Sequence, residues 1–242
     1  IGHTRWATHG VPNERNAHPH ATEKVAVVHN GIIENFQELR LEVEGFGHKL
    51  ASDTDTEVVV HLITHYLDEG LDPAQATEKT LGRLQGAFAL GILFAGFEDL
   101  MIAARRGSPL AVGFGEGEMY LGSDALALAP LSERIMYLED GDWAVITPQA
   151  VEVFDANGDS VERPERRTEI SGDAVGKGGY RHFMLKEIFE QPQVIGDSLH
   201  GFINPAERTV SLPDFPFELA AVTRVTLVAC GTSYYAAMVG RY

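Results

Sequence analysis

Residues 87–94 read AFALGILF, opening just after Gly86, and at this point the periodicity of the chain changes. Upstream the spacing is helical after one short strand. Residues 24–29 (KVAVVH) form a β-branched run that ends at Asn30-Gly31, a turn-prone pair. Ile33, Phe36, Leu39 and Val43 then recur at helical intervals. Thr54 or Asp55 is placed to cap a second helix, with acid in its first turn and Val58, Val59, Leu62, Ile63 and Tyr66 facing inward as far as Gly70. Asp72-Pro73 opens a third helix that runs to about Gln85. Downstream of 87–94, short strand-forming runs follow one another at 100–104, 111–114, 118–121, 134–139, 143–147 and 151–154, punctuated by glycines. A strand, three helices and a meander of strands predict an α+β domain with antiparallel sheets.

The chain has 242 residues, enough for one large domain or two small ones. With 44% hydrophobic and 22% charged residues it has the composition of a folded protein. Its formal net charge of −16 repels phosphate backbones and anionic lipid, so no nucleic-acid or membrane partner is expected. The longest uncharged apolar stretch, 84–97, includes Gln85 and three glycines and is shorter than the ~18–20 residues of a membrane span. No charged-then-apolar leader precedes the motifs, and a cytoplasmic location is expected. Cys230 is the only cysteine, which excludes an internal disulfide framework and a multi-cysteine zinc site.

Composition shifts after Asp155. Residues 157–167 (NGDSVERPERR) are polar and 171–179 (SGDAVGKGG) glycine-rich, so 156–205 is expected to be a linker between a domain at 1–155 and another beginning at 206. Within it, 183–202 resumes helical spacing around Pro192. Residues 224–229 (RVTLVA) read as a buried strand entering Cys230-Gly231-Thr232-Ser233, the start of a helix. A strand and one helix cannot bury their own apolar faces. With Ile1 rather than Met in first place, both ends read as cuts, although frayed natural ends would look alike.

Three clusters carry chemistry. In residues 2–10 (GHTRWATHG), Arg5 offers a fork for a carboxylate beside the flat indole of Trp6, although such a pair is also ordinary surface packing. In His29-Asn30-Gly31, the Asn30 amide and the Gly31 N–H are two donors suited to an oxyanion, or simply a turn. In residues 52–57 (SDTDTE), an acid is placed to hold an ammonium group, or only to cap a helix.

In this order the clusters resemble the glutaminase domain of the class II, N-terminal-nucleophile (Ntn) amidotransferases. The matching stretches are GHTRWATHG at 2–10, NAHPH at 16–20, HNGIIENFQELR at 29–40 and SDTDTE at 52–57. YRHFMLKEIFEQP at 180–192 and ACGTSYYA at 229–236 resemble the linker and the first sugar-isomerase (SIS) domain of the branch that aminates fructose-6-phosphate. The resemblance implies an αββα Ntn sandwich lacking its N-terminal part, then a linker and the first strand and helix of an α/β SIS domain. It implies transfer of the glutamine amide nitrogen to fructose-6-phosphate, with no cofactor and no metal, in a homodimer or larger assembly. It assigns the glutamine carboxylate to Arg5, with Thr8 and His9 nearby, and the ammonium to Asp55. Asn30 and Gly31 become the oxyanion hole, Trp6 an ammonia gate, and Thr232 and Ser233 contacts to the sugar phosphate.

The resemblance also shows a departure. The family's nucleophile is a cysteine at the mature N-terminus whose own amine serves as base, and Cys230 in the SIS stretch cannot replace it. The chain by itself is therefore expected not to hydrolyse glutamine. Two other functions stay open: a non-catalytic module that binds glutamine or a sugar phosphate, and another class II amidotransferase such as the one serving purine synthesis. His61 and His65 have metal-ligand spacing but read as packed or surface residues, as do His18 and His20, although the resemblance places that pair near the glutaminase site. Gly113, Gly115 and Gly117 read as a hairpin turn.

Overall fold

The computed structural model describes residues 1–167, 176–200, 202–204, 209–210 and 221–241. It divides into two units, Ile1–Gly176 and Lys177–Tyr242.

The first unit begins with β1 (His20–Ala21) and β2 (Val25–Ile33), followed by α1 (Phe36–Gly45), α2 (Glu57–Asp68) and α3 (Pro73–Leu81). The meander then runs through β3 (Gly86–Phe94), β4 (Met101–Arg106), β5 (Ala111–Phe114) and β6 (Met119–Gly122). After the short α4 (Ala125–Leu128) come β7 (Arg134–Tyr137), β8 (Trp143–Ile146), β9 (Val151–Phe154), β10 (Ser160–Val161) and β11 (Glu165–Arg167). One seven-stranded sheet has the order β1-β2-β3-β4-β8-β9-β10 and a second, four-stranded, the order β11-β7-β5-β6; every pairing is antiparallel.

Strand alternation decides the layers, because neighbouring side chains leave a strand on opposite faces. Phe88, Leu90, Ile92, Ile102 and Trp143 face the three helices and share a core with Val43, Val59, Leu62 and Ile63. The intervening Ala89, Ala103 and Ala144 face the second sheet and meet Val112, Met136 and Leu138. On that sheet's outer face Ala111 and Ile135 are covered by Ala125 and Leu128 of α4. The result is the αββα order, with its last layer reduced to a four-residue helix. Small residues keep the sheets close: a Cβ on Gly91 would lie 3.0 Å from Leu121 Cδ2.

The seven strands expected between 87 and 154 all form, and Asp72 makes the capping box at α3. The hairpin turn is also present: Gly115 N–H donates to Glu118 O at 2.9 Å, and Gly117 takes a φ of +74°. Four local expectations are corrected. Asn30-Gly31 is no turn, since β2 continues to Ile33 with Gly31 opposite Phe88. Ile33 therefore ends a strand, and α1 starts at Phe36. The cap of α2 is Thr56 without a side-chain bond; Glu57 turns back instead and accepts the Ala51 and Ser52 N–H groups. Finally, residues 160–167 carry strands paired with β9 and β7, so the first unit extends past the expected boundary at 155.

In the second unit α5 (Phe183–His200) contains Pro192, and β12 (Ile203–Asn204) pairs with β13 (Thr209–Val210). Then comes α6 (Gly231–Val239). The strand expected at 224–229 does not form: Val225 and Val228 are exposed, and among the described residues no strand pairs with this segment. An apolar run becomes a strand only where a ladder partner satisfies its backbone. Residues 168–175 of the expected linker, and 205–208 and 211–220 around the expected start of the next domain, lie outside the described residues.

Candidate functional site

A narrow cleft, with only about 20 Å³ of internal space, opens where the N-terminal loop, the end of β2 and the loop before α2 meet. It gathers Arg5, Trp6, Thr8, His9, Asn30, Gly31 and Asp55, from three separate parts of the sequence. Thr232 and Ser233 stand exposed in the first turn of α6, in the second unit. Cys230, also exposed, precedes them.

The ladder register exposes a donor in the cleft. Glu34 N–H donates to Gln85 O and Ala95 N–H to Lys24 O, both at 2.8 Å, so the even-numbered residues of β2 form the hydrogen-bonded pairs with β3. Gly31 therefore sits in a non-bonded pair opposite Phe88, with its N–H turned away from β3. On that side β1 reaches only Ala26 and Val27, leaving the edge open at Gly31. Two residues along the same edge, Ile33 N–H donates to Asp55 Oδ2 at 2.8 Å. Gly31 must be glycine: its φ is +137°, and a Cβ would lie 2.1 Å from Ala87 O.

Asp55 is 4% exposed, and Ile33 N–H is the one hydrogen bond it receives among the described residues. His9 Nδ1 lies 3.8 Å from Oδ1 and His29 Nδ1 4.0 Å from Oδ2. A buried carboxylate so sparsely satisfied is a site for a cation with several N–H donors.

Imidazoles dominate the remaining wall. His29 Nδ1 and His18 Nε2 both bond the Thr56 hydroxyl, at 2.9 and 3.2 Å. His18 packs 4.9 Å from both His3 and His20, centre to centre. Burial, reinforced by His20, His3 and the Arg5 charge, lowers the His18 pKa to about 3. Burial likewise lowers His29 to about 4, although the Asp55 charge opposes it. His3, His18, His20 and His29 are therefore neutral at pH 7. His18 Nδ1 and His29 Nε2 have no partner among the described residues.

Arg5 takes a left-handed φ of 60°, and its backbone N–H donates to His3 Nδ1 at 2.9 Å. Its guanidinium is engaged by the carbonyls of its own loop, those of His9, Gly10 and Val11. This fork thus braces the 9–11 turn within the cleft. Trp6 lines the cleft and projects 91% exposed. Asn30 is exposed at the rim.

Sequence reasoning missed His3, His29, Thr56 and Glu57 as parts of this constellation; it set His18 and His20 aside as metal ligands, although the resemblance places them near the glutamine site. One signal was available: five of the ten histidines fall in the first 29 residues. His61 and His65, also set aside, lie on α2, where His61 Nε2 is 3.6 Å from Glu57 and His65 stacks on Phe46 at 3.8 Å.

A family model described as "Glutamine amidotransferase domain" matches residues 3–130. The glutamine–fructose-6-phosphate aminotransferase [isomerizing] of Zymomonas mobilis is 58% identical over all 242 residues, which are 40% of that protein. Its counterpart from Gluconobacter oxydans is 52% identical over the same shares. Among solved structures, glutamine phosphoribosylpyrophosphate amidotransferase from B. subtilis, complexed with ADP and GMP, matches with a TM-score of 0.52 at 26% identity. That match covers 63% of this chain and 34% of the other. The chain thus spans 40% of the length of the curated relatives it matches.

Proposed function

The chain belongs to the glutamine amidotransferase domain family, and from that premise we propose that it is the glutamine-binding part of an enzyme that aminates fructose-6-phosphate. The observation that carries this reading is the buried Asp55 carboxylate, with one hydrogen bond from the protein, beside the open backbone edge at Gly31. An α-ammonium fills the first need and a developing oxyanion the second. The choice of acceptor rests on relatives that are 52–58% identical along the whole chain, residues 177–242 included.

On this reading glutamine lies with its ammonium on Asp55 and its carboxylate at the Arg5–Thr8–His9 loop. Its side-chain amide then reaches Asn30 and Gly31. A thiolate attacks the amide carbon, and the Asn30 NH₂ and Gly31 N–H stabilise the oxyanion. The thiol proton, taken up by the α-amine of the nucleophile's own residue, passes to the nitrogen, which leaves as ammonia, and water then hydrolyses the thioester to glutamate and the free thiol. Neutral imidazoles suit this chemistry because they do not trap ammonia as ammonium. The thiol belongs to a segment outside this chain, since Cys230 is its only cysteine. Trp6, whose indole is exposed at the cleft, is the gate through which ammonia leaves. The first unit is the amidotransferase domain, and 206–242 open a SIS domain in which Thr232 and Ser233 meet the sugar phosphate; assembly is dimeric or larger.

The test uses the full-length protein with glutamine and fructose-6-phosphate, following glutamate and glucosamine-6-phosphate together. Equal yields of the two are expected. Glutamate without amino sugar would point to another acceptor, and glutamine binding without glutamate to a binding module.

A further inference from the structure

Four buried side chains next to the cleft form a hydrogen-bonded chain whose direction can be deduced. Glu57, the first residue of α2, folds back over the loop before it. Its Oε1 accepts from Ala51 N–H and its Oε2 from Ser52 N–H, each at 2.6 Å, and Oε2 also meets Ser52 Oγ at 2.7 Å. Burial pushes the carboxyl up, but hydrogen bonds from His61, Ala51 and Ser52 more than offset this and bring it to about 2. At neutral pH Glu57 is therefore an acceptor only, and the Ser52 hydroxyl must donate to it. Ser52 Oγ lies 2.9 Å from Thr54 Oγ1, so the Thr54 hydroxyl must donate to Ser52. Thr54 Oγ1 lies 3.1 Å from His20 Nε2, so that nitrogen must carry the proton. Ser52 and Thr54 are 1% exposed, His20 6% and Glu57 7%, which leaves water little access to reverse any link.

The same chain closes the loop that presents Asp55. Thr54 and Thr56 flank Asp55, and each is tied to an imidazole: Thr54 to His20 behind the cleft, Thr56 to His18 and His29 that line it. Among the described residues the carboxylate itself receives only the Ile33 N–H. Its position is thus set by its neighbours in the loop. We propose that Glu57 is a positioning residue of the amino-acid site: through Ser52 and Thr54 it holds His20 as the Nε2–H tautomer and locks the loop that aims Asp55 at the ligand ammonium. This rests on reading the cleft as a glutamine site.

The experiment is histidine ¹⁵N NMR on the 242-residue chain, with glutamine affinity measured by calorimetry on the same samples. The wild type shows His20 protonated at Nε2. Ser52→Ala frees the Thr54 hydroxyl to donate to His20, which shifts the ring toward Nδ1–H and weakens glutamine binding about tenfold. Thr54→Val leaves the three bonds to Glu57 intact, so it preserves the fold if Ser52→Ala does not. It releases the His20 tautomer with a similar loss of affinity, and Thr54→Ser keeps the hydroxyl and restores both readouts. A wild-type His20 protonated at Nδ1 overturns the proposal, as does unchanged affinity in a variant whose tautomer has shifted. Failure of the wild type to bind glutamine overturns the functional reading and the proposal together, whereas those first two results leave the functional reading standing.

Discussion

Gly31→Ala tests how the sheet builds the donor edge of the cleft. The residue has φ +137°, a region that side chains other than glycine avoid. The added Cβ would lie 2.1 Å from Ala87 O, 2.8 Å from Phe88 Cα and 2.9 Å from Ala87 C. All three are backbone atoms of β3, which is paired on both sides, by β2 and β4, and cannot yield as a flexible side chain would. Backbone strain costs about 1–3 kcal/mol and overpacking about 1–3 kcal/mol, so the loss is about 2–6 kcal/mol. For a unit of this size each kcal/mol lowers Tm by about 2–4 °C, which predicts a fall of about 4–24 °C in a thermal melt followed by circular dichroism. Gly47→Ala is the control: φ is +92° there, but the Cβ meets nothing within 4 Å, so only the strain remains. A Gly31→Ala melt equal to that of the control, or within about 2 °C of wild type, refutes the reasoning.

Asp55→Asn removes a buried charge that has one hydrogen bond from the protein; glutamine binding falls about 100-fold by calorimetry while the melt is unchanged or higher, and a large drop in stability would contradict this. The imidazole cluster makes the fold sensitive to mild acid. Because the folded pKa values of His18 and His29 are lowered to about 3 and 4, stability is complete above the ordinary value of 6.5 and declines as pH falls toward them. At pH 5 each ring costs about 2 kcal/mol, visible as a lower urea midpoint than at pH 7.5, and equal midpoints would count against a neutral cluster. Glu57 adds a second, more acid branch: with its pKa lowered from 4.5 to about 2, its contribution is present above 4.5 and lost as pH falls through 2. Glu57→Gln abolishes that branch and costs about 2–4 kcal/mol at pH 7 by urea unfolding; a variant with wild-type stability at pH 7 would argue against it.

Much of the architecture was legible locally. β3 through β9 could be read to within two residues, because alternation and glycine punctuation are properties of short windows. The helix start at Asp72-Pro73 was equally local. Asn30-Gly31 was misread for the complementary reason: the pair favours a turn, but β3 runs alongside to Gly86 and supplies a ladder that outweighs the local preference. At 224–229 the opposite holds, where an apolar run without a partner strand stays unpaired.

By itself the sequence determined the α+β class, the order of the elements and the short stretches that carry Arg5, Asn30, Gly31 and Asp55. Only the tertiary structure decided that these stretches meet in one cleft, that the Gly31 N–H faces away from its partner strand, and that Glu57 reaches back through Ser52 and Thr54 to His20. The reason is physical. Periodicity reports which face of an element is buried, whereas the direction of a hydrogen bond depends on the atoms that packing brings within about 3 Å, and those come from positions 20 to 57 of the chain.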